Sequence, residues 1–510
     1  MKNSIIKIGV GVLLLGTMSS CDLDTSPTTS LDAANAFKST TYADDVLRGT
    51  WNNIFNDAWS YASVGLGSIM LSDDFMGSDA VRARSYGFSS CYNITSGYSR
   101  DQYIKVFWDF TYDAINNCNG VIADIDKASG TEADKNRIKG QAYGTRGYMY
   151  LLLASHFSFA IDKDPDAVCV PIYTEPTTMD VALTGNPASS VKEVYEQALS
   201  DLKQAVALIP EDYSHGTDAI DQYKIDHNVA LGLLARASLY ARNWQDAYDN
   251  ADKALKVNNY LMSEAEYKAG FNDCSNKEWM WGYSSPIDDN FPSYIFHFKD
   301  NTTDGSYYGP LCMDPNFMSN FDENDYRADL FQQWGGTPQS KSVIKLLNNK
   351  FKFKDIENEL GDIDLMRVSE MYLIKAEAAY HLGKIDEAKA ALHTLQQARM
   401  KTGTTAPEIT ATGEDLLKTI WMERRKELWG EGFGITDIIR NQQSVERKKF
   451  EKDMVLNGKE VTGEGHTTLK FADGTDFCVN SKYYLYRIPQ SEELQNENLY
   501  KNHQKLDFYR

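Results

Sequence analysis

RVSEMYLIKAEAAYHLGKIDEAKAALHTLQQAR, residues 367–399, reads as two amphipathic helices joined by the turn His381-Leu382-Gly383-Lys384. Tyr372, Ala376 and Ala379 recur on one face of the first helix, and Ala388, Leu392 and Leu395 on one face of the second. Gly383 stands where a left-handed C-cap is expected. Alanines at the crossing let the two backbones approach closely. A hairpin of this kind buries one face and leaves another in need of a neighbour, so related hairpins are expected elsewhere. Residues 228–256 supply one, with Leu231, Leu234, Ala235 and Ser238 on its first helix and Ala247, Ala251 and Ala254 on its second. The step from Ala235 to Ala247 equals the step from Ala376 to Ala388. Ala198, Leu202 and Ala205, followed by Pro210, match the second half of such a repeat. The pattern predicts a mostly α protein on a tetratricopeptide-like scaffold. Lys375 in a normally apolar slot and Ser238 in a tyrosine slot depart from the repeat, and a run of generic helical hairpins is the alternative.

Working outward, residues 102–126 repeat apolar side chains at helical spacing from Tyr103 to Ile125, and residues 41–58 do so from Val46 to Phe55. Residues 141–159 are apolar on nearly all sides and so read as central. Residues 414–441 again read as helix. Two stretches lack a period, 60–100 and 258–365, and are expected to be irregular insertions facing a ligand. Asn457-Gly458 and Asp473-Gly474 signal small β-hairpins near the C-terminus. No Gly/Ser linker divides the chain, so residues 31–510 are expected to form a single domain, with repeat-like helices over 141–256 and 366–441.

The N-terminus carries Lys2 and Lys7, a short apolar run from Ile8 to Gly16, and small residues before Cys21. This reads as a signal peptide over 1–20 with a lipidated Cys21 and a polar tether over 21–30, an anchor in place of a transmembrane helix. The other six cysteines show no metal or disulfide spacing and read mostly as buried thiols. A net charge of −20 repels phosphate backbones and argues against a nucleic-acid partner. The chain is rich in rings, with 30 Tyr, 22 Phe and 9 Trp, which serve either a large core or a surface for flat ligands.

No HExxH, GxSxG, P-loop or calcium-loop motif is present, and the eight His show no i, i+4 pairing, so neither catalysis nor a metal is indicated. Gly430-Glu431-Gly432-Phe433-Gly434 follows a helix and not a strand, which argues against phosphate cradling. Glu423 and Glu427 read as a helix face that needs an intervening arginine, and Asp73-Asp74 as ligand contacts or turn caps.

The start CDLDTSPTT at 21–29, the pair RVSEMYLIKAEAAYHLG at 367–383, ERRKELWGEGFGITDIIRN at 423–441 and RIPQSEELQNENL at 487–499 together resemble the SusD/RagB family of outer-membrane lipoproteins from Bacteroidetes. Gly434 departs from a slot where a larger, often basic, residue is frequent, and Asn498 from a slot where proline is common. The resemblance implies a cell-surface lipoprotein that captures a glycan and delivers it to a SusC-like TonB-dependent transporter, with no catalysis and no cofactor. It implies a ligand surface on the two irregular stretches. The candidates are Asp73, Arg82, Arg84, Tyr92 and Asn93 from the first, and Trp279, Trp281, Tyr283, Tyr294, Tyr307, Tyr308 and Trp334 from the second. A RagB-like peptide carrier, a protein-interaction scaffold and an α-helical glycoside hydrolase are the competing readings.

Overall fold

The structure is a computed structural model that describes residues 37–83, 87–216, 218–300, 311–333, 346–450, 454–456, 459–461 and 465–503. Its longer helices are α1 (Thr40–Asn56), α2 (Gly65–Met76), α3 (Gln102–Asp124), α4 (Glu132–Phe157), α5 (Met179–Thr184), α6 (Val191–Leu208), α7 (His227–Tyr240), α8 (Trp244–Val257), α9 (Val368–His381), α10 (Ile385–Ala398), α11 (Gly413–Glu427), α12 (Gly434–Arg440) and α13 (Gln490–Gln495). The strands that matter below are short: β1 (Ala58–Ser60), β2 (Ser63–Val64), β3 (Ala80–Arg82), β4 (Trp279–Tyr283), β5 (Leu311–Met313), β6 (Phe331–Gln333), β7 (Leu346–Asn348) and β8 (Ile363–Arg367). The protein is thus mostly helical, as the periodicity predicts. Among the described residues no helix is long and apolar enough to cross a membrane.

The two expected hairpins are α7–α8 and α9–α10, and they stack through α8 against α9. Their turns match residue for residue: Gly383 has φ +73° and Arg242, at the equivalent position, has φ +61°. Glycine removes the steric cost of that conformation, and arginine tolerates it in the second copy. Lys375 lies along the seam and its ammonium donates to Asp252 of α8 at 2.6 Å, so the stem packs while the charge finds a partner. The half-repeat is α6, which packs along α4. Buried arginines staple these helices across their seams. Arg146 of α4 grips Asp201 of α6 at 2.8 and 2.7 Å, and Arg236 of α7 grips Glu370 of α9 at 2.9 and 2.5 Å.

Two expectations are corrected. Residues 60–100 are not irregular surface. They contain α2, in which every residue but Met70 is buried. A helix buried all round has no polar face, so it shows no amphipathic period. The span 414–441 is not one helix either: α11 stops at Glu427 and α12 begins at Gly434. Between them Gly430 (φ +79°) and Gly432 (φ +88°) turn the chain, and Gly434 lies flush on α2, where a Cβ would come within 2.7 Å of the Asp73 carbonyl oxygen. A larger residue at this position has no room.

Residues 258–365 are less irregular than expected. Strand β4 pairs antiparallel with β8, with Ile363 opposite Tyr283 and Arg367 opposite Trp279, and every residue of both strands is buried. Strands β3, β5, β7 and β6 form a second antiparallel sheet in that order. The expected Asp473-Gly474 turn is present, with Gly474 at φ +85° and the Phe471 N–H donating to the Thr475 carbonyl. At 454–461 two short strands pair antiparallel, while Asn457 and Gly458 themselves lie outside the described residues. Of the six remaining cysteines, five are buried free thiols and Cys478 is exposed.

Glu423 and Glu427 are buried and bridged by an arginine from the mid-chain segment: Arg327 donates to Glu427 at 2.8 Å and to Glu423 at 2.6 Å. Arg367 and Arg399, the two ends of the 367–399 stretch, also converge on Glu427, at 2.8 and 2.9 Å, and both donate to Glu278. Arg367 and Lys350 share Glu431 at 2.7 and 2.5 Å. Burial alone would raise these carboxyls, but Arg327 and Lys426 pull Glu423 down to about 2, and Arg367 and Lys350 do the same for Glu431.

Glu427→Ala should therefore cost about 3–5 kcal/mol of stability, because three arginines lose a buried partner; a denaturation midpoint within error of wild type would contradict this. The Glu423 carboxyl titrates lower in the folded chain (about 2) than in the unfolded one, about 4.3, so its contribution is complete above the latter value and is lost as pH falls through the former. The stability gap between wild type and Glu423→Gln should accordingly be full at neutral pH and close on acidification through that window.

Candidate functional site

Helix α1 ends at Asn56, and the chain makes a tight hairpin, β1–β2, before α2 begins. Gly65 permits this: its φ is +44° and a Cβ there would lie 2.4 Å from the Ile54 carbonyl oxygen. The restart of the chain against the end of α1 pushes the hairpin outward. The Ser60 N–H donates to the Ser63 hydroxyl at 3.0 Å and tightens its tip. Two large rings ride on it in the open, Trp59 at 65% and Tyr61 at 56% exposure.

Tyr61 is held in place by the mid-chain segment. Its ring stacks on Tyr294 at 4.9 Å and meets Phe291 edge-on at 5.9 Å. The turn carrying those rings is fastened to α1 by Asp289, which accepts from Asn52 and Asn56 at 2.9 and 3.1 Å. Beside Trp59 opens a cleft of about 570 Å³, walled by residues 87–90 and 100–105. Its Asp101 accepts from the Ser90 and Ser96 hydroxyls and from the Tyr103 N–H. Phe88 and Arg100 sit on this wall with φ +49° and +52°. Such backbone costs energy in a non-glycine residue and collects at functional sites. Here Phe88 is over-determined by Tyr103, which stacks on its ring at 5.1 Å and accepts its N–H at 3.0 Å, and Arg100 by Glu493 at 2.6 Å. Burial, with Asp109 and Asp113 nearby, pushes the Asp57 carboxyl at the hairpin base above its ordinary value. Rigid exposed rings beside hydroxyl, amide and carboxylate groups can hold a ligand that has apolar faces and hydroxyl edges.

Of the expected site residues, Tyr294 belongs to this cluster. Most others are framework. Trp281 is 0% exposed, crosses Trp51 and Tyr148 at 5.0 and 5.1 Å, and donates its indole N–H to the Tyr223 carbonyl at 2.8 Å. Tyr283 stacks on Phe55 at 4.0 Å, and Trp279 is buried on the same strand. These rings cannot present a face to a ligand, because β4 is covered on both sides. Asp73 is buried against His156 at 2.9 Å, where burial raises its carboxyl and the imidazole lowers it. Tyr92 is buried, with its hydroxyl 3.1 Å from His466 Nδ1. Arg82 donates to the Gly87 carbonyl at 2.8 Å and the Ser89 hydroxyl at 2.5 Å, so it braces the cleft wall. Asn93 is exposed and accepts from the Thr468 hydroxyl at 2.7 Å. Arg84, Tyr307, Tyr308, Trp334 and Cys21 lie outside the described residues. The sequence reading missed Trp59 and Tyr61. Their signal was two rings spaced by one residue, among small polar neighbours and out of phase with the preceding helix.

The description "SusD family" matches residues 293–504, and "Starch-binding associating with outer membrane" matches residues 23–239. A SusD-like carbohydrate binding protein from Bacteroides vulgatus is 48% identical, superposes with a TM-score of 0.85, and is matched over 93% of this chain and 100% of its own. The chain belongs to the SusD family. A SusD superfamily protein from Bacteroides thetaiotaomicron, 25% identical, superposes with a TM-score of 0.74 over 90% of this chain and 99% of that one. SusD-like protein P38 from Formosa agariphila is 24% identical over 390 residues, 68% of this chain and 74% of that protein. The two family matches take in the N-terminal hairpin and Tyr294.

Trp281→Ala should cost about 3–5 kcal/mol through the cavity it leaves. Trp59→Ala should stay within about 0.5 kcal/mol of wild type, as exposed positions do. Parallel chemical denaturation of the two variants distinguishes packing from surface.

Proposed function

We propose that this chain binds a glycan at the cell surface and passes it to a partner SusC-like TonB-dependent transporter, without catalysis. The observation that carries the reading is the exposed pair Trp59 and Tyr61, with Tyr61 backed by Phe291 and Tyr294 on a rigid helical frame. Aromatic faces stack on the apolar faces of pyranose rings, and the adjacent cleft supplies hydrogen-bonding edges. The Bacteroides vulgatus relative is described as carbohydrate binding, and one matching family description as starch-binding and associating with the outer membrane. In this reading Cys21 carries the lipid that holds the chain on the outer membrane, facing the exterior. Residues 31–510 act as one domain, with the repeat helices as frame. The two carboxylate pairs that the sequence singles out are engaged in the fold: Glu423 and Glu427 with buried arginines, Asp73 with His156 and Asp74 with the Gly432 N–H at 2.9 Å.

Calorimetry against malto-, cello-, xylo- and manno-oligosaccharides tests the reading. At least one series should bind, and Tyr61→Ala and Trp59→Ala should each weaken it by about tenfold. New reducing ends released by the purified chain would establish a hydrolase. Tight binding of peptides with no response to any glycan would replace the ligand class.

A further inference from the structure

A second groove lies farther along α3 and shares no lining residue with the cleft beside Trp59. It holds about 300 Å³, within the range of small-molecule sites. Three walls from distant parts of the chain form it: the middle of α3, the segment running from Tyr173 through α5, and α13.

Its chemistry is specific. Tyr112 and Tyr173, both half-buried, contribute ring faces with centroids 5.8 Å apart, and the buried Trp108 packs behind Tyr112 at 4.6 Å. Each tyrosine hydroxyl has one partner: Tyr112 donates to the Pro171 carbonyl at 2.8 Å, and the Tyr173 oxygen accepts the Asn186 N–H at 3.0 Å. These residues offer a ligand ring surface, and the Tyr173 hydroxyl keeps its donor. Polar capacity comes from α13. One Glu492 carboxylate oxygen accepts from Asn496 at 2.7 Å, and among the described residues the other oxygen makes no hydrogen bond. Burial pushes this carboxyl up. Gln495 makes no side-chain hydrogen bond among the described residues, and no lysine or arginine lines the groove.

Helix α5 contains no buried residue. It is pinned at its C-terminal end: Asn498 donates to the carbonyls of Thr184 and Gly185 at 3.2 and 3.1 Å, and Asn496 donates to the Asn186 carbonyl at 2.8 Å. Gly185 (φ +67°) lets the two segments close, since a Cβ there would lie 2.2 Å from the Asn496 side chain. A proline at 498, the residue expected from the family pattern, has no side-chain donor to hold that wall.

We propose that this groove is a second carbohydrate site that takes one or two uncharged pyranose units. Ring faces beside amide and carboxylate acceptors suit a neutral sugar, and carboxylates without a basic side chain repel uronate or sulfated ones. The inference rests on the glycan-binding reading above.

The test is calorimetry on the full chain with maltotriose, cellotriose, xylotriose and mannotriose. Val181 is half-exposed on α5 and lines the groove, so Val181→Trp fills it without entering the core. Wild type should show two sites. Val181→Trp should remove one and leave the other's Kd unchanged, Tyr61→Ala should weaken only that other site by about tenfold, and Gln495→Ala should weaken only the groove site by about tenfold. A single wild-type site that is weakened by Tyr61→Ala and untouched by Val181→Trp and Gln495→Ala overturns this inference and leaves the glycan reading standing. No response to any of the four sugars removes both.

Discussion

Glu427 is the point on which the chain closes. It is fully buried, and its two oxygens receive Arg327 from the mid-chain segment, Arg367 from the start of the α9–α10 hairpin and Arg399 from its end. A lone carboxylate in such a place would cost several kcal/mol, and so would each guanidinium. Brought together with Glu278, Glu423 and Glu431, they satisfy one another. The pairing has to be all or none, since removing any member strands the rest. Solenoid repeats usually depend on nearest neighbours alone. In this protein a polar knot ties the repeat to a segment that contains no repeat at all.

That tie places the proposed ligand surface. The mid-chain segment is anchored to the knot through Glu278 and Arg327, and β4 and β8 run from it into the core. Phe291 and Tyr294 follow the end of β4 at Tyr283 within one short segment, and the Asp289 joint to Asn52 and Asn56 fixes that segment against α1. The N-terminal hairpin meets them from the other side, projected by the contact of Gly65 with Ile54. Neither stretch could form the cluster alone.

The repeat hairpins were legible in the sequence because their second helices, α8 and α10, each bury one apolar stripe, the alanine spacing recurs between the two copies, and Gly383 marks the left-handed turn that Arg242 adopts without any such signal. Helix α2 was not legible. It is buried on every side, and burial erases the contrast on which periodicity depends. The GEGFG stretch follows helix α11 and leads into α12. Its use, turning the chain so that Gly434 lies on α2, depends on a helix that sequence reasoning did not see. The aromatic richness misled in a different way. Trp279, Trp281 and Tyr283 lie in a stretch without helical period, which suggested surface, yet β4 is a fully covered strand. A run of rings reads alike whether it is covered on both sides or bare. The exposed pair, Trp59 and Tyr61, owes its place to a hairpin whose outward projection is decided by one glycine contact.

The joint made by Asn52 and Asn56 on Asp289 unites segments more than two hundred positions apart in the chain. Any effort to move the proposed ligand surface onto another carrier, or to trade it between two members of the family, must transplant both segments and this joint together. Exchange of the mid-chain loop alone would deliver Phe291 and Tyr294 without the partner ring they are built to support.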